Sequence, residues 1–269
     1  MRNFNFRRAL GGGGKRHEAC NVVRATDLAV KYHLLKHTAF TLAEVLITLG
    51  IIGVVAALTL PSVIANYQTQ QRITQLKKVY NTLSQAYEMG VAENGGNRDI
   101  DAWANVILYY SKTDYIATLM QYTKPIRVCH VSDRNCVNKD YVAEDLGFDT
   151  SVDSIYILQD GMIIGRAGDN TPDYGIIQVD INGTKSPNKR GEDIFLLYVG
   201  YYFVEDRAVN GVSFDPTDSW DNDANIACIK NGYLGNCGKW AITYNNMDYL
   251  KCRDKLKADG SVHSCKDAK

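Results

Sequence analysis

The stretch FTLAEVLITLGIIGVVAALTL, Phe40 to Leu60, decides how this chain is read, and Glu44 is its only charged residue. A helix rising about 1.5 Å per residue needs about 20 apolar residues to cross the hydrocarbon core of a bilayer. No other apolar run in the 269 residues approaches that length. Upstream, residues 1–39 hold eight basic groups against Glu18 and Asp27, a net +6 that leaves −6 for the remainder of a formally neutral chain. Basic flanks stay cytoplasmic. The pattern therefore predicts a single-pass inner-membrane protein with its leader inside and its acidic C-terminal part in the periplasm. The charge split carries topology and does not point to nucleic acid.

Downstream, Pro61 ends the apolar run and is expected to kink or interrupt the helix, because proline removes a backbone donor. Ile73, Leu76, Tyr80, Leu83 and Tyr87 then recur at steps of three and four, one apolar stripe on an otherwise polar helix. Asn94-Gly95-Gly96-Asn97 is a strong stop signal. One long helix over about 40–93 follows, apolar all round in its first half and amphipathic in its second. Helical patches are expected around Trp103–Tyr110 and Tyr115–Tyr122. Strands are expected at Ser154–Gln159, Met162–Arg166, Gly175–Ile181 and Ile194–Val199, the first two joined by the hairpin signal Asp160-Gly161. Residues 205–237, rich in Asp, Asn and Gly, read as a long loop stapled by cysteines.

Of seven cysteines, Cys20 lies in the basic leader, and the others fall as three close pairs: Cys129 and Cys136, Cys228 and Cys237, Cys252 and Cys265. Six thiols in an exported domain point to disulfides, with fifteen pairings open and proximity favouring the sequential one. Zinc is the alternative, although no pair has the tight spacing of a structural zinc site.

The segment Ala39-Phe40-Thr41-Leu42-Ala43-Glu44 with its apolar run resembles the N-terminal signature of type IV prepilins and type II secretion pseudopilins. In that family a basic leader is removed just before a phenylalanine, whose new amino group is methylated. A glutamate stands fifth in the mature chain and a proline often twenty-second; counted from Phe40, Glu44 is fifth and Pro61 twenty-second. Ala39 stands where the family prefers glycine, and the leader is long, although Val30–Ala39 alone would suffice. The resemblance implies cleavage between Ala39 and Phe40, N-methylation of Phe40, and assembly roles for Glu44 and Pro61. A carboxylate inside a bilayer costs roughly 2.5–3.5 kcal/mol or more, so it marks a function with a partner. The implied partner of Glu44 is the amino terminus of a neighbouring copy. Gly50 and Gly53 would permit close helix approach, although their spacing is not GxxxG.

Other signals are weaker. The segment Asp180 to Phe195 resembles a loop recurrent in pseudopilin-like proteins and opens DxNG, as some calcium loops do. Calcium prefers several hard oxygen ligands, and Asp180, Asn182 and Asp193 are candidates to supply some of them. Lys185, Lys189 and Arg190 oppose it, the full EF-hand pattern is absent, and Asp and Asn also make turns for local reasons. Asp215, Asp218, Asp221 and Asp223 form a second acidic cluster. Outside the leader only His130 and His263 remain, and GxSxG, HExxH, P-loop and GxGxxG motifs are all missing, which argues against an enzyme.

The expected fold is α+β and pilin-like: a long N-terminal helix packed on a small antiparallel β-sheet, with a disulfide-braced C-terminal region. Residues 1–39 form the cytoplasmic leader, 40–64 the transmembrane half of the helix, and 65–269 the periplasmic domain. Implied partners are the prepilin peptidase, other pilin or pseudopilin subunits, membrane lipid, and an inner-membrane platform with its ATPase. The alternatives are a signal-anchored periplasmic binding protein or enzyme, and a DNA-uptake or adhesive minor pilin.

Overall fold

The computed structural model describes residues 40–98, 100, 103, 115–130, 133, 136–137, 148, 154–167, 175–204, 207–214 and 223–268. The chain divides into two units between Leu58 and Thr59.

Helix α1 spans Leu42–Glu93 as one element. Pro61 lies inside it, so the expected interruption does not occur. One missing donor is a local loss in a helix of 52 residues, and Ser62 Oγ donates to the Thr59 carbonyl at 2.9 Å beside it. Downstream the helix stops where the sequence says. Gly95 and Gly96 take φ of 69° and 85°, and the Gly96 N–H returns to the Val91 carbonyl at 2.8 Å. Such a return satisfies a terminal carbonyl and requires the positive φ that glycine adopts without strain.

In the first unit the apolar side chains are exposed, from Phe40 and Leu42 through Val55 and Leu58. In the second unit α1 buries Ile73, Leu76, Val79, Leu83, Ala86, Tyr87 and Val91. Of the expected stripe only Tyr80 is half-buried, its ring stacked on Phe214 at 5.1 Å.

A short helix α2 (Tyr115–Met120) leads to a six-stranded antiparallel sheet: β1 (Arg127–His130), β2 (Ser154–Ile157), β3 (Ile163–Arg166), β4 (Gly175–Asp180), β5 (Ile194–Val204) and β6 (Arg207–Ser213). Each strand pairs with the next in chain order, Tyr156 opposite Ile164, Ile164 opposite Val179, and Val179 opposite Phe195. Side chains alternate in a strand, so one face turns Ile164, Ile177, Val179, Phe195 and Leu197 into the cluster that holds the α1 stripe. The other face carries two smaller clusters, one around Cys129, Phe148, Ile155 and Ile163, the other around Ala167, Ile176 and Tyr198.

The four expected strands are present with shifted ends, and β1 and β6 are additions. The reading of 205–237 as one long loop is corrected. It contains β6, helix α3 (Ala224–Ile229), begun by an Asp223 carboxylate that accepts from the Asn225 N–H, and a 3₁₀ turn at Leu234–Cys237. Glycine, Asp and Asn lowered its strand and helix propensity, but pairing of β6 with β5 over seven positions overrode it. Helices α4 (Gly238–Tyr244) and α5 (Tyr249–Cys252) complete the C-terminal region, whose Trp240 is fully buried in the main cluster. Most of the expected Trp103–Tyr110 patch, the leader, and Asp215, Asp218 and Asp221 lie outside the described residues.

Leu83 is fully buried where α1 meets the sheet. Leu83→Ala is expected to lower stability by about 2–5 kcal/mol through lost transfer energy and a residual cavity. Urea unfolding of the full chain in detergent, followed by tryptophan fluorescence, measures this.

Candidate functional site

At the start of α1, Thr41 and Glu44 bond reciprocally. The Thr41 N–H and Oγ both donate to Glu44 Oε2, at 2.8 and 2.9 Å, and the Thr41 Oγ accepts from the Glu44 N–H at 3.2 Å. This is a capping box, in which a threonine at the helix edge and an acid three residues on satisfy each other's backbone donors. The T-x-x-E spacing of Thr41 and Glu44 is the sequence signal for this box, which the apolar run alone does not indicate. Only one carboxylate oxygen is engaged. Oε1 has no partner among the described residues, and Phe40 beside it is 84% exposed. The negative charge also faces the positive end of the helix dipole. Ala39 lies outside the described residues.

The second candidate set lies between β4 and β5. Asp180 and Asp193 are both fully buried. Asp180 Oδ1 accepts from the Asn182 N–H at 3.2 Å. Asp193 Oδ2 accepts from Asn182 Nδ2 and from the Asn188 N–H, each at 2.9 Å, and its Oδ1 accepts from the Lys189 N–H at 2.6 Å. The three residues named as calcium ligands are thus brought together. Around Asp193 they form a carboxylate ringed by N–H donors, the opposite polarity from an oxygen cage around a cation. Among the described residues no group of three or more His, Cys, Asp or Glu is placed to hold a metal. Burial pushes the Asp193 carboxyl up from its usual range, and the N–H donors of Lys189 and Asn188 oppose that rise.

This loop bonds to α1 and α5, and α1 also pairs with the neighbouring β2–β3 turn. Arg72 on α1 pairs with Glu192 at 3.5 Å, Tyr249 of α5 donates its hydroxyl to the Gly191 carbonyl at 2.8 Å, and Lys78 pairs with Asp160 of the β2–β3 turn at 2.8 Å. Burial raises the Tyr249 phenol, so it stays a neutral donor. Gly183 has φ of 67°, and a Cβ there would run into the Gly161 carbonyl oxygen of that same turn.

The six cysteines pair sequentially, Cys129 with Cys136, Cys228 with Cys237, and Cys252 with Cys265. The second and third close the C-terminal region, where the Cys265 N–H also donates to Asp248 Oδ2 at 2.9 Å. His263 stacks on Tyr244 at 5.0 Å in the same region. Compared with family models, curated proteins and solved structures, the chain matches none.

Two outcomes follow from these geometries. Thr41→Val removes the hydroxyl of the box and is expected to speed amide exchange over residues 42–46 by roughly two- to thirtyfold in detergent, the equivalent of a lost cap; Thr41→Ser should retain protection. For Asp193 the folded state binds its proton more tightly than the unfolded chain, so its stability contribution is complete below the unfolded pKa and lost as pH rises through the folded one. The stability of wild type relative to Asp193→Asn should therefore fall as pH is raised from the usual aspartate range, as followed by denaturant titrations at successive pH values.

Proposed function

We propose that the chain is a prepilin-type subunit with a pilin-like fold, anchored in the inner membrane and assembled into a type IV pilus-like or type II secretion filament. The observation that carries this reading is Glu44: an acid at the head of an apolar helix, one oxygen held by Thr41 and the other unengaged. The box lowers the cost of holding the carboxylate in lipid, because two of its hydrogen bonds come from its own helix. Oε1 is left for a donor from outside. A prepilin peptidase cutting between Ala39 and Phe40 creates such a donor, the methylated amino group of Phe40.

The amine of an incoming copy then meets Glu44 of a copy already in place. Opposite charges in a low-dielectric environment attract strongly, and a mismatch in height leaves both unpaired, so the pair sets the axial register. The side chains exposed along α1, such as Leu46, Ile51, Val54 and Leu58, each gain about 1.5–3 kcal/mol when withdrawn from water. Lipid covers them before extraction, and neighbouring helices cover them afterwards. A contact repeated head to tail without closure builds a filament rather than a ring. The work of extraction belongs to an inner-membrane platform and its ATPase. The chain's own task in this reading is assembly and not catalysis.

Mass spectrometry of the mature chain is expected to find an N-terminus at Phe40 carrying one added methyl group. Glu44→Ala should insert in the membrane at wild-type levels and fall at least about tenfold in sheared filament fractions, since a lost charge pair of about 1.4 kcal/mol already gives that factor per contact. A mature N-terminus elsewhere, or normal incorporation of the variant, removes the basis of the proposal.

A further inference from the structure

We propose that the β4–β5 loop is a docking surface for anionic phospholipid headgroups, holding the domain down on the bilayer until the subunit is extracted. This rests on the membrane reading above and adds a partner for a second region.

The loop's charges are sorted by sign. Its acids are withdrawn from solvent or already paired: Asp180 and Asp193 are buried, Glu192 is on Arg72, and Asp160 of the adjoining turn is on Lys78. Its cations are more accessible, although Arg190 Nη2 also donates to the buried Gln178 Oε1 at 3.5 Å. Lys185, Lys189 and Arg190 are exposed, and among the described residues none of the three has an ion-pair partner. Among the described residues, the loop of a net acidic domain therefore presents a local positive surface. Asn182, Asn188 and the Lys189 N–H converge on Asp193, so the backbone that carries these cations is held rigid. The surface is formed before any partner arrives.

The height of the loop along α1 selects lipid as that partner. Arg72 marks it, through Glu192. The second unit's own stretch of helix still exposes Leu60, Val63 and Ile64, and then Tyr67, which is 68% exposed. Tyrosine favours the headgroup level, where the ring is in apolar surroundings and the hydroxyl is wet. From Ile64 to Arg72 the helix rises about 12 Å. Headgroups fill about 5–8 Å beyond the hydrocarbon, and the Debye length at physiological salt is about 8 Å. Lysine and arginine side chains at that height reach an anionic surface. From Glu44 to Arg72 the chain carries no other charge, so Arg72, to which this loop is tied through Glu192, is the first cation after the apolar run.

The test places the full chain in nanodiscs of phosphatidylcholine alone and of phosphatidylcholine with roughly one third phosphatidylglycerol, and follows amide exchange. The expected result is exchange over residues 184–190 slowed on the order of tenfold by phosphatidylglycerol, reversed at about 0.5 M salt. It should be abolished in the triple variant Lys185→Gln, Lys189→Gln, Arg190→Gln, with strands β4 and β5 still protected. Equal exchange in both lipids, with residues 42–60 protected, overturns this surface and leaves the membrane reading standing. Loss of protection over 42–60 means the chain is not in the bilayer, and both readings fall. Slowing that follows protein density and not lipid charge assigns the loop to a second copy and overturns the proposal.

Discussion

Between Ile73 and Val91 one side of α1 leaves water, and it packs into one cluster with the inner face of the sheet, Phe214 and Trp103. That face is itself available because period-two alternation in β3, β4 and β5 delivers Ile164, Ile177, Val179, Phe195 and Leu197 to the same side. Helix and sheet each carry a face that neither can hide alone. Their joint burial is what gives the second unit its main core, and the C-terminal residues Cys228, Cys237 and Trp240 are drawn into it.

The Asp193 loop builds on that packing. Hydrophobic contact places α1 near the sheet but does not specify how far along its axis it sits. The pairs Arg72–Glu192 and Lys78–Asp160, at 3.5 and 2.8 Å, and the Tyr249–Gly191 bond add directional constraints at defined heights. Exposed ion pairs contribute little stability, so their use here is in register more than in energy. Asp193 is different in kind. Its carboxylate is buried and ringed by N–H donors, and an unpaired partner there would cost far more than a surface contact.

Glu44 and Asp193 are held in comparable ways. Each is a carboxylate held by donors from its own chain, Asp193 buried and Glu44 exposed. Asp193 is satisfied on both oxygens, which suits a structural knot. Glu44 is satisfied on one, the free oxygen on which the assembly proposal draws.

The local features of this chain were written in its sequence. The membrane-length helix, its end at Asn94-Gly95-Gly96, the buried stripe and the Asp160-Gly161 hairpin all follow from spacing and from backbone preferences that act within a few residues. Even the Thr41 to Glu44 box is legible as T-x-x-E, beside the stronger hydrophobic signal of the apolar run. What sequence could not decide was non-local. Strand β6 was hidden because its residues have weak propensity and gain order only from β5. The polarity of the Asp180, Asn182 and Asp193 set depended on where the N–H groups of residues 188 and 189 came to lie. Cysteine pairing, too, was one choice among fifteen until the fold brought the sulfurs together. The physical reason is common to all three. Contacts between residues far apart in the chain are selected by the packed core, and no local pattern records which of the available partners it will choose.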